Sequence, residues 1–542
     1  MKNNIIFYLF LLTHVIVFGQ VAAPLKMPID QIESEFFTDN STGFPAGQRV
    51  TLLNNAGDDS STLNTAINFL NNLGGGVITI NAGTWEFAEI LMKSNIHLVI
   101  SKDAIIKPSA CPSCVNKTTN RSIFRIGSIN ATFITENVSI RSLNDDGQFT
   151  IDLSDLEMVT DEGVAYLVRI TPFNMKAVTN FMVSGCRVVD NFTVHAAMNC
   201  SVSKSSAGVW GRPKQGLIKN LTVQNAHSGY GAVQVRSGEK LLFKNITSVG
   251  GGVSLRIETD DVTASGGTTP QEEAWVSEIS AYNIKCANGN AAVMIQPWSA
   301  QNGWFDVQKI EATSCMAAVR IDKAYDNASP FIGVGVFDSD SRITDVTCSY
   351  GTNAQVKEGV FPWVPCVLRT NPSILIYPGI AYMDDGSYHL GPLIAPLLYR
   401  ASTTSGAVGN GYYSVNVPTE NQLKANATGF DWSISLVISR DNNRVNNCPA
   451  LSNESFAFNT NQVKVYPNPF ESENEFLTID LVTISDVSIT ISDLMGKLVY
   501  SNNFKGQSKV EINLSKLNLA KGTYVVNAKS DIGMVSKKII VL

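Results

Sequence analysis

Charged side chains are sparse in this chain. They make up 16% of its 542 residues, where about 25% is ordinary for a globular protein. The balance is slightly acidic, with a net charge of −6. That excludes the basic surface of a nucleic-acid binder, and any anionic partner must be held by local Arg and Lys. Long helical patterns are also scarce, while Gly, Asn, Ser and Thr are abundant, which points to an all-β protein with many turns. No helical stretch fills the gaps between strand-like segments, so βαβ folds are excluded. Beyond the N-terminus there is no apolar run of membrane-spanning length, so the mature chain has no membrane span.

The one apolar run is terminal. Lys2 precedes Ile5–Phe10 and Leu11–Phe18, and small Gly19 follows before Gln20. Residues 1–20 read as a secretory signal. Export permits disulfides, and the nine cysteines, an odd number, leave at least one unpaired. Cys111-Pro-Ser-Cys114 reads as a small loop staple; no second ligand pair follows to make it a metal site. Cys286 and Cys315 lie in strand-like repeats and are expected as buried ladder residues.

Residues 21–450 are expected to form a right-handed parallel β-helix. Leu63, Ala66, Ile67 and Leu70 have helical spacing and suit a helix capping the solenoid end. Gly74-Gly75-Gly76-Val77-Ile78-Thr79-Ile80 and the turn Ala82-Gly83-Thr84-Trp85 follow. Cap, glycine turn, strand and turn resemble the start of secreted pectin-lyase-like polysaccharide enzymes. A loose unit then recurs as Asn137-Val138, Asn180-Phe181, Asn220-Leu221, Asn245-Ile246, Glu278-Ile279, Lys309-Ile310 and Asp345-Val346. Self-similarity at this period marks a solenoid. Residues 362–450 break the repeat with several prolines and read as an irregular elaboration or lid.

The most informative stretch is Gly250-Gly251-Gly252-Val253-Ser254-Leu255-Arg256-Ile257-Glu258-Thr259-Asp260. Val253, Leu255 and Ile257 alternate with Ser254, Arg256, Glu258 and Asp260. Two carboxylates and a guanidinium should therefore share one outward face. Residues two apart on a strand lie about 7 Å from each other, which suits an acid and a base flanking a glycosidic bond. Stacked coils add outward rows Ala232-Gln234-Arg236, Met294-Gln296-Trp298 and Ala318-Arg320-Asp322. The result is a polar, Arg-bearing strip fit for a sugar polymer. His227 is a turn residue that also falls near this strip, and Asp261 extends the acidic run at the strand end.

From Val463 the pattern changes to seven short alternating strands, the mark of a β-sandwich over 464–542. Val465-Tyr466-Pro467-Asn468-Pro469-Phe470, Ile491-Ser492-Asp493-Leu494-Met495-Gly496-Lys497 and Lys521-Gly522-Thr523-Tyr524 closely resemble the sorting domain of type IX secretion cargo. The resemblance implies the type IX secretion machinery as partner, and release from the cell or attachment to its outer surface.

The segment 50–450 resembles the iota-carrageenases, glycoside hydrolase family 82. The residues that carry the likeness are Gly231-Ala232-Val233-Gln234, Ser254 through Asp260, Ile295-Gln296-Pro297-Trp298, and Cys315 to Arg320. The resemblance implies endo-acting, inverting hydrolysis of β-1,4 linkages in a sulfated galactan. It assigns Glu258 as general acid, Asp260 as general base, and Gln234 to a bound ion and the attacking water. It implies no cofactor for the chemistry, with a structural calcium or a bound chloride as accompanying ions, and a monomer is expected. The family pattern leads one to expect a His near the Pro297 turn, where Trp298 stands instead, free to stack on a sugar ring. Arg256, with Arg320 and Arg236 as weaker candidates, is expected to face substrate sulfate through charge-assisted bonds; Gln296, Trp298 and His227 complete the expected binding set.

Three rival readings differ in their residues. A β-helix lyase wants clustered calcium carboxylates and a Lys or Arg base. A galacturonan hydrolase wants a Gly-His-Gly turn, which is absent. A glycan-binding surface adhesin needs no acid and base at all.

Overall fold

The computed structural model describes residues 32–439 and 463–542, except 56, 110–119, 128–133, 157–158, 162–163, 167–168, 206–207, 261–272, 325–333, 358–374, 377–387, 400–412, 431–435, 472–475, 518 and 531–532. The signal segment, the Cys111/Cys114 pair, Asp261 and much of 362–450 lie outside them. The chain divides into two compact units, 1–445 and 446–542.

The first unit is a parallel β-helix. The helix Ser60–Asn72 buries Leu63, Ile67 and Leu70 against its first coils. One parallel sheet carries the long strands Val178–Val189, Lys214–Gln224, Gly238–Val249, Val276–Ala287, Phe305–Thr313 and Arg342–Ser349. A second, ten-stranded sheet includes Arg121–Ile126, Ile170–Met175, Met198–Cys200, Gly231–Val235, Val253–Glu258, Ala291–Gln296, Ala317–Ile321 and Ala395–Tyr399, paired in that order. Ala395–Tyr399 and Val437–Ser439 thus carry the solenoid into the proline-rich segment. Between the sheets lies an apolar core that includes Phe173, Val233, Leu255, Ile257, Ile295 and Ile321.

The recurring Asn has a backbone cause. Asn95, Asn137, Asn180, Gln215, Lys240 and Glu278 all have left-handed φ and stand in register on successive coils. Gly185, Asn220, Asn245, Asn283, Lys309 and Asp345 form a second such column. Each column turns a long strand through a corner. Asn is the non-glycine residue that accepts this conformation most readily, and here it also bonds its neighbour above and below. The Nδ2 of Asn180 donates to Asn137 Oδ1 at 2.7 Å, and that of Asn283 to Asn245 Oδ1 at 2.7 Å. The seven repeats seen in the sequence are therefore members of two columns, not one. A third corner, at Asn225, Gly250, Asn288 and Ser314, leads into the ten-stranded sheet.

The cysteine expectation needs correction. Cys286 and Cys315 form a disulfide, with Cα atoms 6.5 Å apart, that links consecutive coils. Cys186, Cys200 and Cys348 are buried thiols, and burial pushes Cys200 up to about 12.

The second unit is an antiparallel β-sandwich built on Lys464–Tyr466, Phe476–Asp493, Leu498–Asn513, Gly522–Ser530 and Gly533–Val541. Among the described residues five strands stand where seven were expected. The two longest pair through register breaks between Asp480 and Ser485 and between Ser485 and Val487. Such breaks bend a strand, and Phe476–Asp493 pairs with Lys464–Tyr466 along its first part and with Gly522–Ser530 along its second. Leu477, Ile479, Ile489, Ile491, Val526 and Ile539 fill its core.

Candidate active site

The site sits on the outward side of the ten-stranded sheet. Strand register puts Arg125, Asn174, Asn199, Gln234, Arg256, Met294 and Arg320 in one row. Glu258 and Gln296 form the next. Adjacent strands lie about 4.8 Å apart, so the row is a measured strip along the solenoid.

Two glycines allow the local geometry. A Cβ on Gly231, φ +139°, would lie 2.0 Å from the carbonyl oxygen of Val253, and one on Gly252, φ +72°, would lie 2.6 Å from Gly231 Cα. The glycine turn therefore packs directly on the turn that precedes Gly231. Gln355, buried, seals the junction, accepting from Gly252 N–H at 2.7 Å and donating to Ala226 O at 3.3 Å.

Glu258 is 6% exposed and accepts three donors. Its Oε2 takes Gln234 Nε2 at 3.0 Å and a guanidinium nitrogen of Arg256, and its Oε1 takes the indole N–H of Trp298 at 3.3 Å. The strand ends at Glu258, where Thr259 turns inward, its hydroxyl donating to Pro297 O. Asp260 is not on the strand. Its N–H returns to Glu258 O at 3.1 Å in a tight turn, and its carboxylate pairs with Arg236 Nε. The two carboxylates are thus held by different cations.

A cleft of about 430 Å³ opens beside them. Arg121, Arg125, Lys176, His195, Tyr230, Gln234, Arg236 and Asp260 are among its lining residues. Within it Arg125 pairs with Glu89 at 2.6 Å and Lys176 reaches the Ser201 hydroxyl. The connection 190–197 brings His195 to the cleft. Asp190 organises it: its Oδ1 accepts from Asn191 N–H at 2.8 Å and the Thr193 hydroxyl at 2.9 Å. Burial pushes this carboxyl up to about 7.

The alternation expected from sequence holds for Gln234, Arg256 and Glu258 but fails at the strand start. Ser254 is fully buried, bonded to Ser248 N–H and Lys285 O in the other sheet. Ala232 and Ala318 are core residues. The corner at residue 250 twists the first strand residue out of phase. Arg256 differs too: it is 7% exposed, donates to Gly229 O and Glu258, and lies 5.5 Å from the Tyr230 ring centroid. Its hydrogen-bonding capacity is turned on the protein. Arg320 pairs with Asp322 at 2.6 Å, and Gln296 donates to Lys323 O at 3.0 Å. His227 is buried in the turn before Gly231. Trp298 has φ +46°, an uncommon conformation for a bulky residue.

Arg121, Arg125, Lys176, His195 and Tyr230 were missed by the sequence reading. Asn174 and Lys176 follow the alternation of Pro172-Phe173-Asn174-Met175-Lys176, so extending the row two coils toward the N-terminus would have found them. His195 and Tyr230 lie on turns and carry no such signal. Among the described residues no group of three or more His, Cys, Asp and Glu is placed to hold a metal. No helix among them is long and apolar enough to cross a membrane.

Comparison with known proteins places both units. A family model described as the secretion system C-terminal sorting domain matches residues 464–542. An iota-carrageenase of Zobellia galactanivorans is 28% identical over 429 residues, covering 68% of this chain and 80% of that protein. One of Alteromonas macleodii is 32% identical over 274 residues, covering 50% of this chain and 51% of that protein. Among solved structures, a family GH82 iota-carrageenase from A. fortis superposes with a TM-score of 0.64 at 24% identity, covering 79% of this chain and 96% of that one. At that identity the likeness is one of fold.

Proposed function

We propose that this chain, an iota-carrageenase-like glycoside hydrolase with a secretion tail, cleaves β-1,4 linkages within iota-carrageenan, with inversion at the anomeric carbon. The tail marks it as a secreted or cell-surface protein. The observation that carries the reading is the bridge at Gln234: its amide lines the cleft and also holds Glu258, while Asp260 lines the same cleft on a separate cation.

In this reading Glu258 is the general acid. All three of its contacts are donations to the carboxylate, so protonating a glycosidic oxygen requires one oxygen to exchange its partner for substrate. Oε1, held by the longer indole contact, is the oxygen that gives way. Asp260, fixed by Arg236, is the base that takes a proton from water, and Gln234 orients that water from the cleft wall. An inverting pair needs room for the water between its carboxyls, about 6.5–9.5 Å; here the two carboxylates are held by different cations, Arg256 and Arg236. Arg125, Lys176 and Arg236 supply positive charge along the cleft for a polyanion, with Arg125 four strands, about 19 Å, from Arg256. Arg256 serves the acid instead of the sulfate.

The test is digestion of a carrageenan panel by the purified protein, followed by assay of reducing ends and NMR of the first anomer released. Glu258→Gln and Asp260→Asn should each lower turnover by about 10²–10⁴-fold with unfolding temperature nearly unchanged. Near wild-type rates in both variants would refute the assignment. An unsaturated product would show a lyase, and no product on any galactan would favour a binding protein.

A further inference from the structure

We infer that His227 is a positioning residue for the acid, acting through the Gly229 peptide and Arg256; this rests on Glu258 being the acid. His227 is 1% exposed. Its Nδ1 accepts the N–H of Gly229 at 2.9 Å, so that nitrogen carries no proton and the ring hydrogen is on Nε2. The Gly229 carbonyl accepts from Arg256, and Arg256 donates its other terminal nitrogen to Glu258 Oε2. One residue therefore links the imidazole to the acid's partner: the Gly229 N–H faces the ring, and its carbonyl, in the next peptide, faces Arg256.

The turn is built to hold that peptide still. Tyr230 N–H returns to His227 O at 3.0 Å. The Tyr230 ring packs 5.2 Å from His227 and lies beneath the Arg256 guanidinium. The glycine turn closes the other side through the contact of Gly252 with Gly231. Among the described residues the Nε of Arg256 is buried with no hydrogen-bond partner. Its direction is thus set by the Gly229 carbonyl, the tyrosine face and Glu258. Without an acceptor at Nδ1 the Gly229 N–H loses its partner in a half-buried turn. Gly229 then turns about its own φ and ψ to find a partner, and its carbonyl leaves Arg256.

Three variants test this. His227→Leu should lower kcat about 10- to 100-fold while KM stays within about twofold, the signature of an interaction needed at the chemical step. His227→Asn puts an acceptor near Nδ1 and should recover kcat to within about threefold, whereas His227→Gln puts its amide near Nε2 and should not. In an Arg256→Lys background the effect of His227→Leu should largely vanish, because partners in one network are not additive. Should the Leu variant fail to fold, the Asn and Gln pair still decides. An unchanged kcat in His227→Leu, equal losses in Asn and Gln, or full additivity with Arg256→Lys would overturn the proposal. If the wild type cleaves no galactan, the proposed function fails by itself. A crystal structure of His227→Leu then decides the linkage: Arg256 displaced from Glu258 supports it, and Arg256 in place refutes it.

Discussion

Asp190 offers a prediction whose size can be worked out. Its carboxyl is buried and pushed up from 3.8 to about 7 by desolvation, against opposing bonds from Thr193 and Asn191. In the unfolded chain it releases its proton near 3.8; in the folded chain it keeps it until about 7. Between those values the unfolded state binds fewer protons, so folding stability falls as pH rises through that window and levels off above it. A shift of this size corresponds to an effect on the order of 4 kcal/mol, at 1.36 kcal/mol per unit. Asp190→Asn keeps the Oδ1 acceptor for Asn191 and Thr193 and removes the titration. Its amide adds donors in a buried place, at about 1–3 kcal/mol if they stay unsatisfied. The variant should therefore be no better than wild type at pH 4 and clearly more stable at pH 8. Unfolding midpoints in urea from pH 4 to 8.5 measure the difference directly. Parallel curves for the two proteins, or a gap that widens toward acid, would refute the reasoning. Because 190–197 carries His195 to the cleft, the same variant should leave KM intact if the loop keeps its course.

Lys176→Ala should raise KM on sulfated galactan and weaken its salt dependence, with kcat nearly unchanged, since the residue lines the cleft beyond the reacting carboxylates; initial rates at two salt concentrations check this. A chain ending near residue 455 should fold, show wild-type cleavage and fail to leave the native host cell. Thermal melts, reducing-end assays and cell fractionation separate those three outcomes, and a folded but inactive truncation would tie the sandwich to the site.

How much of this was legible in sequence differs from element to element. Alternation of Val233, Leu255 and Ile257 with Gln234, Arg256 and Glu258 gave the buried and outward faces, because a pleated strand with one apolar side has only one such solution. The cap helix was legible from the spacing of Leu63, Ile67 and Leu70. Asp260 was misplaced on the strand because nothing in Glu258-Thr259-Asp260 marks a tight turn; it forms because Thr259 bonds the Pro297 carbonyl across coils. The partners of Arg256 were not legible because alternation gives a face, not a partner, and Gly229 lies one coil away. The Cys286–Cys315 bond was missed for the same reason: coil-to-coil neighbours depend on turn lengths that vary. In the sandwich, Phe476–Asp493 and Leu498–Asn513 run through register breaks that alternation does not reveal.

The columns of left-handed residues have a consequence for how such a protein changes. Asn180 to Gly185, Gln215 to Asn220, Lys240 to Asn245 and Glu278 to Asn283 keep the same interval on these four coils, so chain length is rationed on that side of the solenoid. On the side of the carboxylates no such interval is imposed, and the spans 259–275, 297–304 and 322–341 differ freely. The scaffold thus leaves length free on these spans while the strand register that aligns Gln234, Arg256 and Glu258 stays as it is.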